Sequence, residues 1–492
     1  MTTVLQRGTG PRYELNTGLE LRPDAQGGVL LSRHPLMALR LNPLAFGLLS
    51  DLKGVASALD LVAGQQALSL SAATTFLDSL VQRRLLLRHM PPPDVWPSVS
   101  IIVPAHGRPA ATRACVESLL ALEYPGERPE ILVVDDASEP PLAPALEGLP
   151  VRTVRLTVNR GQSVARNHAA ALATGEVLAF IDNDCIASPD WLTALIAALD
   201  EPGVELAGGR VVAPPPTGPI AAFESVRSPL DMGAVSGAVG PDEPISYMPS
   251  CNLVVRRDLL LRLGGFDPAM HLGEDVDLIW RALRDGAKAR YVATSTVVHH
   301  HRVQLGALLR RRADYASSEA DLQRRHPAAG RRILVLPRVT LLLLAALVSA
   351  KKAWPLSLVF GATALGSVVV EIGAKQRSLE KNGVSMPVHH VGGAVLHAHR
   401  AALYHLGANV TRYYSLPLLA AGLCWPEILP ALAILLLTPP VIDHKRLHPR
   451  LALPTFIGLY WLELTAYQLG VWGGCWQRRT LRPLWPQLRW SR

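Results

Sequence analysis

Between Val99 and His301 the chain repeats one pattern: a short apolar run that ends in a cluster of polar or acidic residues. The runs Val99–Val103, Ile131–Val134 and Val177–Ile181 read as short buried strands. Helical stretches at Ala110–Leu122 and Ser163–Ala173 alternate with them. Strand and helix in alternation predict an α/β domain with a mostly parallel sheet. In an open sheet of that kind the ligand crevice lies beyond the carboxyl ends of the strands. The polar clusters sit at those ends.

Val177–Ile181 runs into Asp182-Asn183-Asp184. Side chains two apart share a face of an extended chain, so both carboxylates can enter the crevice. Two hard oxygen donors suit Mg2+ or Mn2+ shared with a diphosphate; an acidic turn is the plainer alternative. The second strand runs into Asp135-Asp136, where an acid can accept from a nucleobase or ribose, or simply cap a turn. Pro104, His106 and Gly107 follow the first strand and let the backbone turn close to a flat base. In Asn159–Asn167, Ser163 is placed to cap a helix, and Arg166 either reaches a phosphate or lies exposed. Glu274, Asp275 and Asp277 occupy a first helical turn, which the helix dipole favours on its own. The functional alternative makes Asp275 a base that deprotonates an acceptor hydroxyl. His299-His300-His301 either completes a metal site with one imidazole or is a solvated run.

The remainder of the chain differs in character. Hydrophobic residues make up 49% of the 492 and charged residues 18%, with a mean hydropathy of +0.21. The excess lies in Ile333–Ala350, Ala353–Val370, Leu416–Ile442 and Leu453–Trp472. A bilayer span needs about twenty apolar residues, and Arg338, Glu427 and Glu463 interrupt three of these segments. A buried helical core competes with membrane association by spans, hairpins or amphipathic helices. The net charge of +9 clusters beside these segments, at Arg331, Arg332, Lys351, Lys352, Lys445 and Arg446, which favours a membrane over nucleic acid. Five cysteines without a CxxC pair predict a reducing compartment. The first thirty residues show no signal-peptide pattern.

Before Pro91, short strands around Leu19–Leu21 and Val29–Leu31 precede a helix capped by Asn42 with Pro43 at its first position. Leu85–Leu87 closes this region as a strand, giving a winged-helix-like unit without a basic recognition helix. The expected organisation is therefore 1–92 winged-helix-like, 95–328 catalytic, and 330–492 helical and membrane-associated.

From Ser98 to His301, the ordered set SIIVPAHGR, VVDDAS, NRGQSVARN, FIDNDC, SCNLVVRR, GGFD and GEDVDLIWRA resembles the inverting family-2 glycosyltransferases with the GT-A fold. The resemblance implies a nucleoside-diphosphate-sugar donor, usually UDP-linked, and a divalent metal (Mn2+ or Mg2+) held through Asp184. Asp182 would contact ribose or metal, and His299 would sit near the diphosphate. Asp275, beside Glu274, would be the base. Asp136 would meet the nucleobase, with Pro104, His106, Arg166 and Arg281 completing the donor side. The first region is similar to PqqD-like peptide-binding domains of pathways for ribosomally made, modified peptides. This domain order resembles the glycosyltransferases of mycofactocin systems, which implies transfer of glucose from UDP-glucose to a peptide-derived redox cofactor and its growing oligosaccharide. A polysaccharide or lipid-linked acceptor is the alternative within the family, and a non-catalytic membrane-bound peptide-binding protein the alternative outside it. A pyrophosphorylase is disfavoured because Pro104–Pro109 lacks the glycine density and lysine of such enzymes. The expected location is the cell membrane, with the catalytic domain facing the cytoplasm and no nucleic-acid partner.

Overall fold

Val99–Ala105 is buried at every position, and its alternating side chains feed two separate layers. Ile101 and Val103 join a core with Cys115, Val116 and Leu195, whereas Ile102 joins one with Ala165, Ala169 and Ile279. A strand apolar on both faces must lie between layers. The helices Pro109–Leu120 and Trp191–Ala198 cover one face, and Gln162–Leu172 and Glu274–Arg284 the other. The structure, a computed structural model, describes residues 10–33, 36–63, 67–301, 303–329 and 333–490. Arg331 and Arg332, two of the basic residues beside the apolar segments, lie outside the described residues.

The sheet has nine strands. Eight run in the order Cys185–Ala187, Lys288–His299, Val204–Val212, Leu253–Arg256, Val177–Phe180, Val99–Ala105, Glu130–Asp135 and Arg152–Arg155; Gly237–Val239 pairs with Lys288–His299. The last four of the eight are mutually parallel. Leu253–Arg256 enters antiparallel to both its neighbours, so the sheet is mixed. That arrangement brings the ends of Val177–Phe180, Val99–Ala105 and Glu130–Asp135 together.

The chain divides into two compact units, one of residues 1–91, 332–446 and 486–492, the other of 92–331 and 447–485. In the first, Arg12–Leu15 lies between Ala56–Ser57 and Leu86–His89, and Leu19–Asp24, Gly27–Arg33 and Leu36–Leu41 form a three-stranded meander. Asn42 caps Pro43–Ser50 as its sequence predicts, accepting from the Ala45 N–H at 2.8 Å. The result is a winged-helix-like domain around Tyr13, Leu30, Leu48 and Leu77. Its run Val29-Leu30-Leu31 is apolar throughout because the two faces have different partners. Leu30 points into this core, whereas Val29 and Leu31 pack on Leu379, Val384, Met386 and Val391. The helices Trp354–Lys381 and Pro426–Leu447 are long and apolar enough to cross a membrane, by length and composition.

In the second unit, Leu453–Gln477 packs lengthwise on Leu305–Arg325. Gly470 and Gly474 permit this, since a Cβ would fall 2.1 Å from the Ala313 carbonyl oxygen or 2.4 Å from that of Ser317. Phe456, Leu459, Tyr460 and Leu464 complete the contact against Phe223 and Leu308.

Candidate active site

The chain leaves the sheet at Phe180 and turns at Asn183 and Asp184, with Asp182 C=O accepting from the Cys185 N–H at 3.0 Å. Asn183 anchors the turn by donating to Thr112 Oγ1 at 2.9 Å and to the Gly107 carbonyl at 3.4 Å. The two acids therefore do not share one face of an extended strand, and each has its own partners. Asp182 Oδ1 accepts from Arg166 Nη2 at 2.7 Å. Asp184 Oδ2 accepts from Arg108 Nη1, and its Oδ1 lies 3.4 Å from His299 Nε2.

Arg166 is neither an exposed helix residue nor an outward-reaching one. It is 1% exposed, lies 5.3 Å over the Phe266 ring, and donates through Nη1 to Glu274 Oε1 at 2.8 Å. One guanidinium thus joins the acid at the strand end to the acid at the helix start. Its Nε is buried with no partner among the described residues. Gln162 donates to the same Glu274 oxygen at 2.6 Å. Burial, then the adjacent Asp275 carboxylate, pushes Glu274 up to about 7 against the pull of Arg166. Burial also raises Asp275, although it accepts from the N–H groups of Val276 at 2.8 Å and Ser250 at 3.3 Å.

The loop before this helix is built to place it. Asn167 brackets Phe266, accepting its N–H at 2.8 Å and donating to its C=O at 2.7 Å. Gly265 has φ +78°, and a Cβ there would meet Asn167 Oδ1 at 2.4 Å, so only glycine fits. Arg281 braces the same loop. It donates to Asp277 Oδ2 at 2.7 Å and to the carbonyls of Leu263 and Gly265, each at 2.8 Å. These contacts engage its guanidinium within the loop, whereas the resemblance grouped it with the donor-binding residues.

At the neighbouring strand ends, Asp136 accepts from the N–H groups of Arg160 and Gly161, both at 2.8 Å. His106 Nδ1 is 2.8 Å from the Asp136 carbonyl and 3.2 Å from Asn159 Nδ2. Burial disfavours the charge of Asp135, yet donors from Ser138 and Leu142 and the Arg155 guanidinium hold its carboxyl below the ordinary range. Pro104 is buried inside the strand, in register with Val134. The turn comes after it, at Gly107 (φ +65°) and Arg108 (φ +56°).

Asp184, His299 and the thiol of Cys185 offer ligand atoms within 4.8 Å of one another. Burial raises the Cys185 thiol well above its ordinary range, and its soft sulfur suits a hard ion less well than the carboxylate and imidazole do. Oxygen and imidazole nitrogen suit a hard or borderline divalent ion such as Mn2+ or Mg2+. Both residues line a pocket with Arg108, His301, Arg311 and Tyr315. Sequence reading missed the contact of Arg108 with Asp184, that of the Gln162 side chain with Glu274, and the Arg311–Tyr315 face of Leu305–Arg325. Arg108 and Gln162 lie in the SIIVPAHGR and NRGQSVARN stretches, which was the available signal; nothing local marks the third.

Residues 100–262 match the family model for glycosyl transferase family 2. The chain is 31% identical over 501 residues, 97% of its own length and 98% of the relative's, to a pre-mycofactocin glycosyltransferase of Mycobacterium tuberculosis. With the mixed sheet and the strand-end acids, this makes the chain a member of the family-2 glycosyltransferases with the GT-A fold. It is also 32% identical over 244 residues to the O-antigen biosynthesis protein RfbC of Myxococcus xanthus, covering 46% of this chain and 18% of that one. Among solved structures, a mannosyltransferase of Pyrobaculum calidifontis in complex with GDP-Man and Mn2+ aligns at 20% identity and a TM-score of 0.39, over 64% of this chain and 89% of that one.

Proposed function

We propose that this glycosyltransferase moves a hexose, glucose from UDP-glucose, onto a hydroxyl of a peptide-derived redox cofactor of the mycofactocin type and onto its growing oligosaccharide, with inversion at the anomeric carbon. The acceptor class rests on the near full-length relative. The observation that carries the chemistry is the Arg166 bridge between Asp182 and Glu274, beside Asp275. It couples the donor-side acid to the acid pair that would face the acceptor.

Asp275 takes the proton from the attacking hydroxyl, a role suited to a carboxyl whose burial raises its proton affinity. Glu274 and Arg166 hold that helix start in place, and Arg166 keeps Asp182 oriented. Asp184 and His299, with Asp182 alongside, would hold the divalent ion, Mn2+ or Mg2+. That ion, when bound, supplies electrostatic stabilisation of the departing diphosphate. Arg108 stands next to Asp184 and adds positive charge on the same side. Asp136 and His106 border the space for the nucleoside, with Pro104 beneath it in the strand. Membrane association is supported by the two long apolar helices and the basic residues near their ends; on this reading the catalytic unit faces the cytoplasm.

The test is product mass spectrometry after incubating full-length protein with UDP-glucose, other UDP- and GDP-sugars, and the peptide-derived acceptor. A hexose-mass increment on that acceptor, dependent on UDP-glucose and abolished by chelation, is expected. Sugar transfer only to a lipid-linked or polysaccharide acceptor would overturn the assignment.

A further inference from the structure

Glu463 interrupts an apolar stretch, and its burial is not explained by packing alone. Its side chain is 6% exposed, with Oε1 accepting from Arg312 Nε at 2.8 Å and Oε2 from Arg227 Nη2 at 3.3 Å. Arg312, 5% exposed, also donates to Glu224. Arg227 stacks 4.5 Å over the Tyr460 ring. Two arginines and two glutamates from three helices therefore form one buried, charge-balanced cluster.

That cluster does not end at Glu224. His301 Nδ1 lies 3.8 Å from Glu224 Oε2 and 3.1 Å from His299 Nδ1. The two imidazole centroids are 4.6 Å apart at an interplanar angle of 44°. His299 then presents Nε2 to Asp184 at 3.4 Å. The His301 ring is held through one nitrogen, because its Nε2 is buried without a hydrogen-bond partner among the described residues. With His299 Nε2 turned to a metal, His299 Nδ1–H donates to His301 Nδ1, and Glu224 walls the same edge of the His301 ring at 3.8 Å, a packing contact and not a hydrogen bond.

We propose that Glu463 is a positioning residue for the metal site. Through Arg312, Glu224 and His301, the helix Leu453–Gln477 fixes the His299 imidazole against Asp184. This rests on the reading above that Asp184 and His299 hold a divalent ion. Residues beyond the ligands that orient a metal-bound imidazole commonly govern affinity, and here they extend to a helix distant in sequence. A helix docked only by shape would need no buried glutamate, and an isolated buried carboxylate is costly unless it is paired. The pairing explains how Glu463 is tolerated; its continuation to His299 assigns it a use.

The experiment is a Mn2+ titration of the full-length protein, following loss of the free-ion signal by electron paramagnetic resonance. Glu463→Gln and His301→Asn are each expected to weaken Mn2+ binding by roughly 10-fold, and the double variant to be no weaker than either single one. Such non-additivity marks residues acting on one path. Tyr467→Phe loosens the same helix pair at Glu319, outside the path, and is expected to bind as wild type does. Unchanged affinity in Glu463→Gln, or additive losses in the double variant, overturns the proposal. If Glu463→Gln does not fold, His301→Asn decides alone: unchanged affinity sinks it. His299→Ala separates the two readings. Wild-type Mn2+ binding there removes the metal assignment and the relay with it, whereas lost binding with an unaffected Glu463→Gln removes the relay alone.

Discussion

The two acid pairs of the catalytic unit have similar chemistry in sequence and different surroundings in the fold. Asp182 and Asp184 sit in a turn, with side chains 29% and 16% exposed, and each faces an arginine. Glu274 and Asp275 begin a helix, where burial raises both. A carboxyl whose proton affinity is raised is suited to accept a proton, which is the role proposed for Asp275. Burial separates the second pair from the first, and Arg166 is the residue that touches both pairs.

Replacing the proposed base is expected to break this contrast most severely. Asp275→Asn is expected to lower kcat by about 10² to 10⁴ with the donor KM little changed, as read in initial-rate assays with UDP-glucose; near wild-type turnover would remove the base from this helix. Arg166→Met leaves the buried Glu274 and the partly exposed Asp182 without their shared cation. It is expected to cost about 3–5 kcal/mol of stability, seen in chemical or thermal unfolding, with Arg166→Lys recovering part of it. Asp184→Ala is expected to weaken the metal requirement's midpoint by roughly 10- to 100-fold, measured as Mn2+-dependent activity, while leaving unfolding nearly unchanged.

A pH profile sharpens the same comparison. As the proposed base, Asp275 must be deprotonated to act, and burial raises its proton affinity. Activity should therefore fall with decreasing pH at a value above the ordinary aspartate value of about 3.9, and recover above it. A kcat/KM limb at the ordinary value would separate the base from the buried site. The smallest effect is expected at Arg281. Its partners are Asp277 and two loop carbonyls, so Arg281→Ala should cost about 1–3 kcal/mol in unfolding and leave the donor KM intact. A raised donor KM with unchanged stability would instead support the donor-side role that the resemblance implies.

Much of the fold was legible because its signals are local. Fully apolar runs at Val99, Ile131 and Val177 locate central strands, and Asn42-Pro43 locates a helix start through capping chemistry. The antiparallel entry of Leu253–Arg256 was not legible, since strand order depends on contacts between distant segments. The same holds for Arg166, whose helical context is compatible with exposure, phosphate contact or burial. Leu453–Gln477 is a third instance. Its composition matches that of the apolar segments before it, but Gly470 and Gly474 meet the backbone of Leu305–Arg325, and Glu463 meets Arg312. Hydropathy averages over a helix, whereas docking is decided by a few positions on one side of it.

The sequence by itself determined that acids stand at strand ends and at a helix start, because strand burial and helix initiation are local properties of residue type and order. Only the tertiary structure decided that the carboxyls at the helix start have a raised proton affinity. Desolvation and Coulomb interaction act across space, between residues such as Arg166 and Glu274 that lie 108 positions apart in the chain.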